Sequence, residues 1–274
     1  MNLEVDYSFR PNGLITLTTD FGVADPYVGV MKGAILARHP AAQVVDLTHH
    51  IPAFQPRLAG FWLTRVYRHF PAGTVHLAVV DPGVGTERGM VLLLVEGQLF
   101  VAPDNGSLDP VAASSGSPQW RSFTVKELAH LRLQTVSHTF HGRDIFAPLV
   151  SEISANRQPI NTLGIPAERR PVSRPSQPGI GQVVWVDHYG NIITDIDATC
   201  LAAFNEPVLR FRTHLIPLHR SYGFAKQGEL LGVVNSWETL EIAVAQGNAQ
   251  QYLQAAPGEP VNVTESTPRT EPRA

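Results

Sequence analysis

The stretch Val79-Val80-Asp81-Pro82-Gly83-Val84-Gly85-Thr86-Glu87-Arg88-Gly89 (VVDPGVGTERG) decides how the chain is read. The largely apolar run 75–80 stops at a carboxylate. Three glycines and a proline follow, with Arg88 seven positions after Asp81. A buried strand ending in an acid, on a turn that lets backbone approach a ligand, is where open α/β sheets carry their chemistry. Much later, T-F-H-G-R-D (139–144) offers His141. If His141 folds back onto this turn, acid, cation and imidazole form a set that can activate a water. The glycines do not make a nucleotide fingerprint. Gly83, Gly85 and Gly89 are spaced one residue too long for a dinucleotide motif, and no helix clearly follows. Positive φ angles in a tight turn are the simpler expectation for them.

Upstream of this stretch the pattern alternates. Residues 14–18 (LITLT) read as a strand, and Asp20-Phe21-Gly22 as a turn. Asp25 before Pro26 reads as a helix cap followed by proline at the first helical position, with the helix running to about Arg38. Residues 43–47 and 74–80 are further strands, and 56–68 a second helix. Such alternation predicts a parallel sheet covered by helices. Downstream come shorter strands at 91–96 and 98–102 joined at Gly97, a turn at Asp104-Asn105-Gly106, and a helix at 144–155. Beyond a Pro- and Arg-rich segment the chain reads as all-β, with strands at 182–186, 192–196, 208–212, 229–235 and 239–245. The expected fold class is therefore α/β: an N-terminal α/β domain with a central, mainly parallel sheet (1–165), a linker (166–179), a smaller C-terminal β-barrel-like domain (180–256), and a disordered tail (257–274) rich in Pro, Thr and Glu.

Bulk properties narrow the classes. With 274 residues, 43% hydrophobic and 16% charged, the chain can bury a sizeable core. A net charge of -3 without a Lys/Arg cluster argues against nucleic acid or an anionic membrane as partner. The lone Cys200 excludes a disulfide framework and a Cys-rich metal site. No long apolar run or leader pattern is seen, so a cytoplasmic location is the default. The 11 histidines include the pair His49-His50, yet none has metal-ligand spacing, and no metal is expected.

Each chemical candidate has a plainer reading beside it. Asp20 at a strand end can take two sugar hydroxyls, or it is a turn aspartate. His141 is a base, or it caps the following helix. Asp187 and Asn191 bracket a Gly-containing turn and are also what a hairpin demands. Asn235-Ser236 and Glu238, between two strands, carry the same ambiguity.

Taken together the strings are far more specific than any one. T-D-F-G (19–22), V-V-D-L-T-H (44–49), V-V-D-P-G-V-G-T-x-R (79–88), P-D-N-G (103–106), T-F-H-G-R-D-I-F-A-P (139–148), V-D-H-Y-G-N (186–191) and L-E-I-A-V-x-x-G-N-A (240–249) span nearly the whole chain. The chain resembles the S-adenosyl-L-methionine (SAM) hydroxide adenosyltransferases, adenosine-forming SAM hydrolases related to the fluorinase and chlorinase enzymes. The resemblance implies hydrolysis of SAM to adenosine and methionine, with SAM as substrate and no cofactor. It also implies a homotrimer, with each active site between the N-domain of one subunit and the C-domain of the next. Asp81, Arg88 and His141 would be the water-activating set, and Asp20 would bind the ribose hydroxyls. Phe54 would flank the ribose and reacting carbon. Asp187 and Ser236 would face the methionine part, Asn191 the adenine, and the strand 240–245 would read adenine through backbone near Glu241 and Val244. The halogenating relatives have a tyrosine where this chain has Asp81. One departure is Tyr27, where the fluorinase has a serine near the methionine carboxylate. The alternatives are a halogenase-like substitution on SAM and a non-catalytic SAM or adenosine sensor. A sensor would keep Asp20, Asn191 and the adenine-reading strand but would need no Asp81–Arg88–His141 set. Which of Asp81 and His141 is the base stays open at this point.

Overall fold

The computed structural model describes residues 9–133, 135–168 and 177–266, and the chain divides into two compact units, residues 1–173 and 174–274. The first contains β1 (Leu14–Thr19), α1 (Tyr27–Arg38), β2 (Gln43–Thr48), α2 (Pro56–Val66), β3 (Val75–Val79), β4 (Met90–Val95), β5 (Gln98–Pro103), α3 (Asp109–Ala113), β6 (Gln119–Phe123), α4 (Ala147–Ser154) and β7 (Ile165–Ala167). One sheet runs β2-β1-β3-β5-β4-β6-β7. Its β2-β1-β3-β5 half is parallel, and the rest is antiparallel. The change of direction comes from a two-residue hairpin, Glu96-Gly97, in which both residues have positive φ (50° and 74°), as a tight hairpin turn needs.

β3, β4 and β5 are buried at every position, which is why their sequences are largely apolar. Ile15, Leu17, Met31, Ile35, Leu77, Leu92 and Phe146 form the heart of the core. On the opposite face of β3 lies a buried polar side chain. His76 accepts from or donates to Thr16 Oγ1 (2.8 Å) through Nδ1 and meets Gln98 Oε1 (2.7 Å) through Nε2, while its ring stacks on Phe100 at 4.7 Å. Burial pushes its pKa down to about 4.

The second unit contains β8 (Ile180–Val186), β9 (Ile192–Asp197), β10 (Pro207–Phe211), β11 (His214–Pro217), β12 (Leu230–Val234), β13 (Thr239–Val244), α5 (Ala249–Leu253) and β14 (Pro260–Glu265). Its order is β11-β10-β14-β8-β9-β13-β12, with antiparallel neighbours. The two edges approach through His219, whose N–H donates to the Gly232 carbonyl (2.8 Å), so the sheet is nearly closed into a barrel. Val183, Ile192, Leu209, Phe211, Ile242 and Val261 fill it.

Three expectations need correction. Helix α1 starts at Tyr27 with Pro26, not Asp25, at the cap, and no side chain caps it. The linker does not begin at 166, because Pro166 and Ala167 belong to β7, which pairs with β6; its residues 169–176 lie outside the described set. The tail does not begin at 257. β14 pairs with β10 and β8, and its alternation puts Val261 and Val263 into the barrel core. Residues 267–274 lie outside the described set. Among the described residues no helix is long and apolar enough to cross a membrane.

Candidate active site

The parallel strands β1 and β3 end side by side, and each hands on an acid: Asp20 after Thr19, and Asp81 shortly after Val79. The Asn105 side-chain Nδ2 donates to the Val80 carbonyl (2.8 Å), which ties the P-D-N-G turn to the end of β3. The glycine-rich turn then brings Arg88 back. Its guanidinium grips both oxygens of Asp81, Nε to Oδ1 at 2.6 Å and Nη2 to Oδ2. The pair is deeply buried, with Arg88 packed over the Phe146 ring at 5.5 Å.

His141 arrives from 53 residues away, and Arg88 Nη2 donates to its Nδ1 (3.1 Å). Arginine has no acceptor, so Nδ1 must receive the proton and the neutral ring carries its own on Nε2. Burial lowers the His141 pKa first, and the neighbouring Arg88 charge lowers it further. Two local devices deliver this histidine. Asp144 Oδ2 accepts from the Ser137 amide (2.8 Å), and Ser137 Oγ from the Phe140 amide (3.0 Å), closing the loop. Gly85, at φ 81°, lies so close to the His138 carbonyl that a Cβ there would come within 2.2 Å of its oxygen. Only glycine permits that approach, which holds the two loops together. The helix expected at 144–155 begins as a π-helical turn, Gly142–Phe146, in which the Ala147 N–H donates to the Gly142 carbonyl, and Pro148 falls in the first turn of α4, where its missing N–H is tolerated.

Asp20, Phe54, Asp81 and His141 line one cleft of about 70 Å³, walled by Phe21, Val84, Thr139 and Phe140. The Phe54 amide points at Asp20 Oδ2 (3.4 Å), and Phe54 itself is left-handed (φ 65°) and 75% exposed. Burial raises the Asp20 pKa, and the nearby Asp81 adds to the rise. Sequence reading missed the four wall residues, although Phe21, Thr139 and Phe140 sit beside singled-out residues in the same strings. Phe21, Thr139 and Phe140 also line an adjoining cleft of about 430 Å³ with Tyr27 and Arg143.

The remaining residues belong to the second unit. Asp187 Oδ1 accepts from the amides of Tyr189 (2.9 Å) and Asn191 (2.8 Å), and Oδ2 from the Asn191 side chain (3.0 Å). Glu241, 3% exposed, accepts from Tyr222 Oη (2.7 Å) and Asn235 Nδ2 (3.2 Å). Burial raises its pKa, and the nearby Asp187 charge contributes in the same direction. Asn235 Oδ1 in turn gathers the amides of Trp237 (3.0 Å) and Thr239 (3.2 Å), so the exposed Ser236 rides on a fixed turn. Val244 packs its side chain into the barrel core. The β13–β9 ladder ends at Ile242–Ile192, short of Val244. Of the two residues that hold Glu241, Asn235 was an ambiguous candidate in the sequence and Tyr222 was not singled out. Among the described residues no group of three or more His, Cys, Asp or Glu could hold a metal ion.

Both units of the chain resemble known proteins. Residues 15–164 match the SAM hydroxide adenosyltransferase N-terminal domain and residues 181–262 the C-terminal domain of the same family. An (R)-S-adenosyl-L-methionine hydrolase of Salinispora tropica is 34% identical over 93% of this chain and 98% of its own length. A fluorinase of an Actinoplanes species is more distant, 24% identical over 69% of this chain and 74% of its own. A solved structure of a conserved Thermotoga maritima protein superposes with a TM-score of 0.82 at 34% identity, covering 91% of this chain and all of that one. Both domain models match in order across two acids delivered from adjacent strand ends and the barrel that follows, and the chain belongs to the SAM hydroxide adenosyltransferase family.

Proposed function

We propose that this protein hydrolyses SAM to adenosine and L-methionine, with Asp81, Arg88 and His141 holding the attacking water. The observation that carries the reading is the hydrogen-bonded Asp81–Arg88–His141 set in the same cleft as Asp20. Water attacks ribose C5′ as the C5′–S bond breaks. The electron pair leaves with sulfur, and one proton is released. The sulfonium needs no general acid, so positioning the water is the main task, worth several kcal/mol and up to roughly 7–11 in ideal cases.

The choice of base left open by sequence falls to Asp81 in this reading. With Nδ1 accepting from Arg88 and Nε2 carrying the proton, neutral His141 has no free lone pair. Its Nε2–H is a donor that orients the water oxygen. Each Asp81 oxygen keeps a second lone pair beside its bond to Arg88, enough to receive the water's proton. A carboxylate at this position also disfavours a halide nucleophile, which weighs against the halogenase-like alternative. A sensor would have no use for the set.

Asp20 would hold the ribose diol and Phe54 would flank the reacting carbon. Asp187, Asn191 and Ser236 would contact the remainder of SAM, and the backbone of β13 near Glu241 and Val244 would read the adenine. The same reading carries a cytoplasmic homotrimer with no nucleic-acid or membrane partner and no cofactor. Incubation with SAM, with adenosine followed by chromatography, tests it. Adenosine should accumulate, and its absence between about pH 6 and 9 would overturn the hydrolase reading. Light scattering should return three times the chain mass.

A further inference from the structure

Behind Asp20 lies a buried imidazole that the hydrolysis itself does not use. His49 is 3% exposed and sits just after β2. The β1–β2 register slips between Leu17 and Thr18, so that Leu17 faces Asp46 while Thr18 faces Thr48. This irregularity carries the chain past β1's end and turns His49 toward it. His49 Nδ1 lies 2.9 Å from Thr19 Oγ1, and Thr19 Oγ1 accepts from the Phe21 amide (3.2 Å). The His49 carbonyl accepts from the Gly22 amide (2.7 Å), and the Thr19 carbonyl from the Ile51 amide (3.2 Å). The turn Asp20-Phe21-Gly22 is thus tied on both sides of Asp20 to residues 49–51.

The other edge of the ring meets a charge. His49 Nε2 lies 3.1 Å from Asp46 Oδ1, off the line of the N–H, and Asp46 Oδ2 accepts from Lys32 (2.5 Å). A carboxylate there keeps the ring proton on Nε2 and leaves Nδ1 to accept from the Thr19 hydroxyl. That hydroxyl then has its lone pairs free for the Phe21 amide. Lys32, Asp46, His49 and Thr19 form one line ending at the backbone that carries Asp20.

We propose that His49, held by Asp46, is a positioning residue that aims the Asp20 carboxylate for the ribose diol, an inference that rests on the assignment of Asp20 to that diol. It acts on ground-state binding of the sugar and leaves the water-activating set untouched. The alternative is a histidine that only packs the sheet end. That residue would move stability without changing preference for a diol.

The test compares His49→Ala and His49→Asn with the wild type. The Asn carboxamide can accept from Thr19 where Nδ1 did, and it loses only the Asp46 contact. In SAM turnover, His49→Ala should raise KM about 10- to 100-fold, the range for a charge-assisted hydrogen bond, with kcat within a few-fold, and His49→Asn should recover most of the loss. Calorimetry with adenosine and 2′,3′-dideoxyadenosine gives a readout independent of turnover. Wild type should prefer adenosine, His49→Ala should lose that preference, and His49→Asn should keep it. Should His49→Ala fail to fold, the Asn variant and its diol preference still decide. A folded His49→Ala that keeps the wild-type diol preference, or an Asn variant that loses it, overturns the proposal. Wild-type protein that prefers adenosine but makes none from SAM overturns the hydrolase reading and leaves this one standing. Wild-type protein with no diol preference overturns the assignment of Asp20, and this proposal with it.

Discussion

The two units handle their hydrogen-bonded carboxylates in opposite ways. In the first, Asp81 is gripped by a guanidinium that also reaches His141, so acid, cation and ring form one network at a strand end. In the second, Asp187 and Glu241 are satisfied by neutral donors: backbone amides, two asparagine side chains and a tyrosine hydroxyl. A network containing its own cation is close to charge-balanced and resists rearrangement, which suits holding a water in one place. Carboxylates held by neutral donors keep their negative potential, which suits a cationic sulfonium ligand. On the proposed function, one sequence would thus separate chemistry from attraction by what it places beside each acid.

The largest effect expected from this contrast falls on the first unit. Asp81→Asn keeps the shape of the side chain and removes the charge that Arg88 neutralises. It should lower kcat for SAM hydrolysis by about 10²–10⁴, the range for loss of a positioned base, with binding of SAM by calorimetry little changed. His141→Gln retains a donor and should lower kcat less. If His141→Gln is the more damaging variant, the assignment of Asp81 as base is wrong.

Acid should pull the units apart next. His76 has a pKa of about 4 when folded and near its ordinary 6.5 when unfolded. The unfolded chain therefore binds more protons between these values, and stability falls as pH drops through that window. His76 contributes about 3 kcal/mol that is fully present above pH 6.5 and gone below pH 4. Glu241 has the opposite sign: its folded pKa is raised, so protonation on acidification favours the folded barrel. Hydrogen exchange at pH 7.5 and pH 5 should show protection lost mainly in β1, β3 and β5, with β8, β9 and β13 less affected. Loss spread evenly over both units would remove the contrast.

What the sequence made legible follows from how each element is built. β3 and the turn after it were readable because a fully buried parallel strand is an unbroken apolar run and its end is marked by Asp81. His76 was not, since one histidine inside V-H-L-A-V-V looks like noise, and its partners Thr16 and Gln98 lie on neighbouring strands. Strand β14 was hidden in a Pro-, Thr- and Glu-rich segment whose composition suggested a tail, although Val261 and Val263 already alternated. Helices α3 and α5, five residues each, are too short to show periodicity. The candidate residues were readable as strings. Their roles were not, because the Arg88–His141 bond that fixes the ring proton spans 53 residues.

A smaller effect is expected in the second unit. Glu241→Gln keeps an acceptor for Tyr222 and removes a buried negative charge. SAM binding should weaken a few-fold, about 1 kcal/mol or less, while kcat holds and the barrel gains stability above neutral pH. A fall in kcat larger than the rise in KM would place Glu241 among the reacting groups and blur the division between the units.

The smallest effect lies in the backbone. Phe54 in the first unit and Glu238 in the second are both left-handed non-glycine residues, at φ 65° and 59°; the Phe54 amide points at the proposed contact Asp20, and Glu238 shares a turn with the proposed contact Ser236. A left-handed L-residue costs about 1–2 kcal/mol, and glycine removes that strain while adding about 0.4–1 kcal/mol of unfolded-state entropy. Both glycine variants should therefore melt at or slightly above wild type, since neither side chain is buried. They should differ in binding. Phe54→Gly deletes an aromatic ring that is 75% exposed beside the reacting-centre cleft, and KM should rise. Glu238→Gly deletes a side chain with no proposed contact, and KM should hold. A protein has little reason to bear left-handed strain on an exposed phenylalanine unless the ring meets a ligand. Equal KM values for the two variants would mean that Phe54 is held in its strained turn by the loop alone.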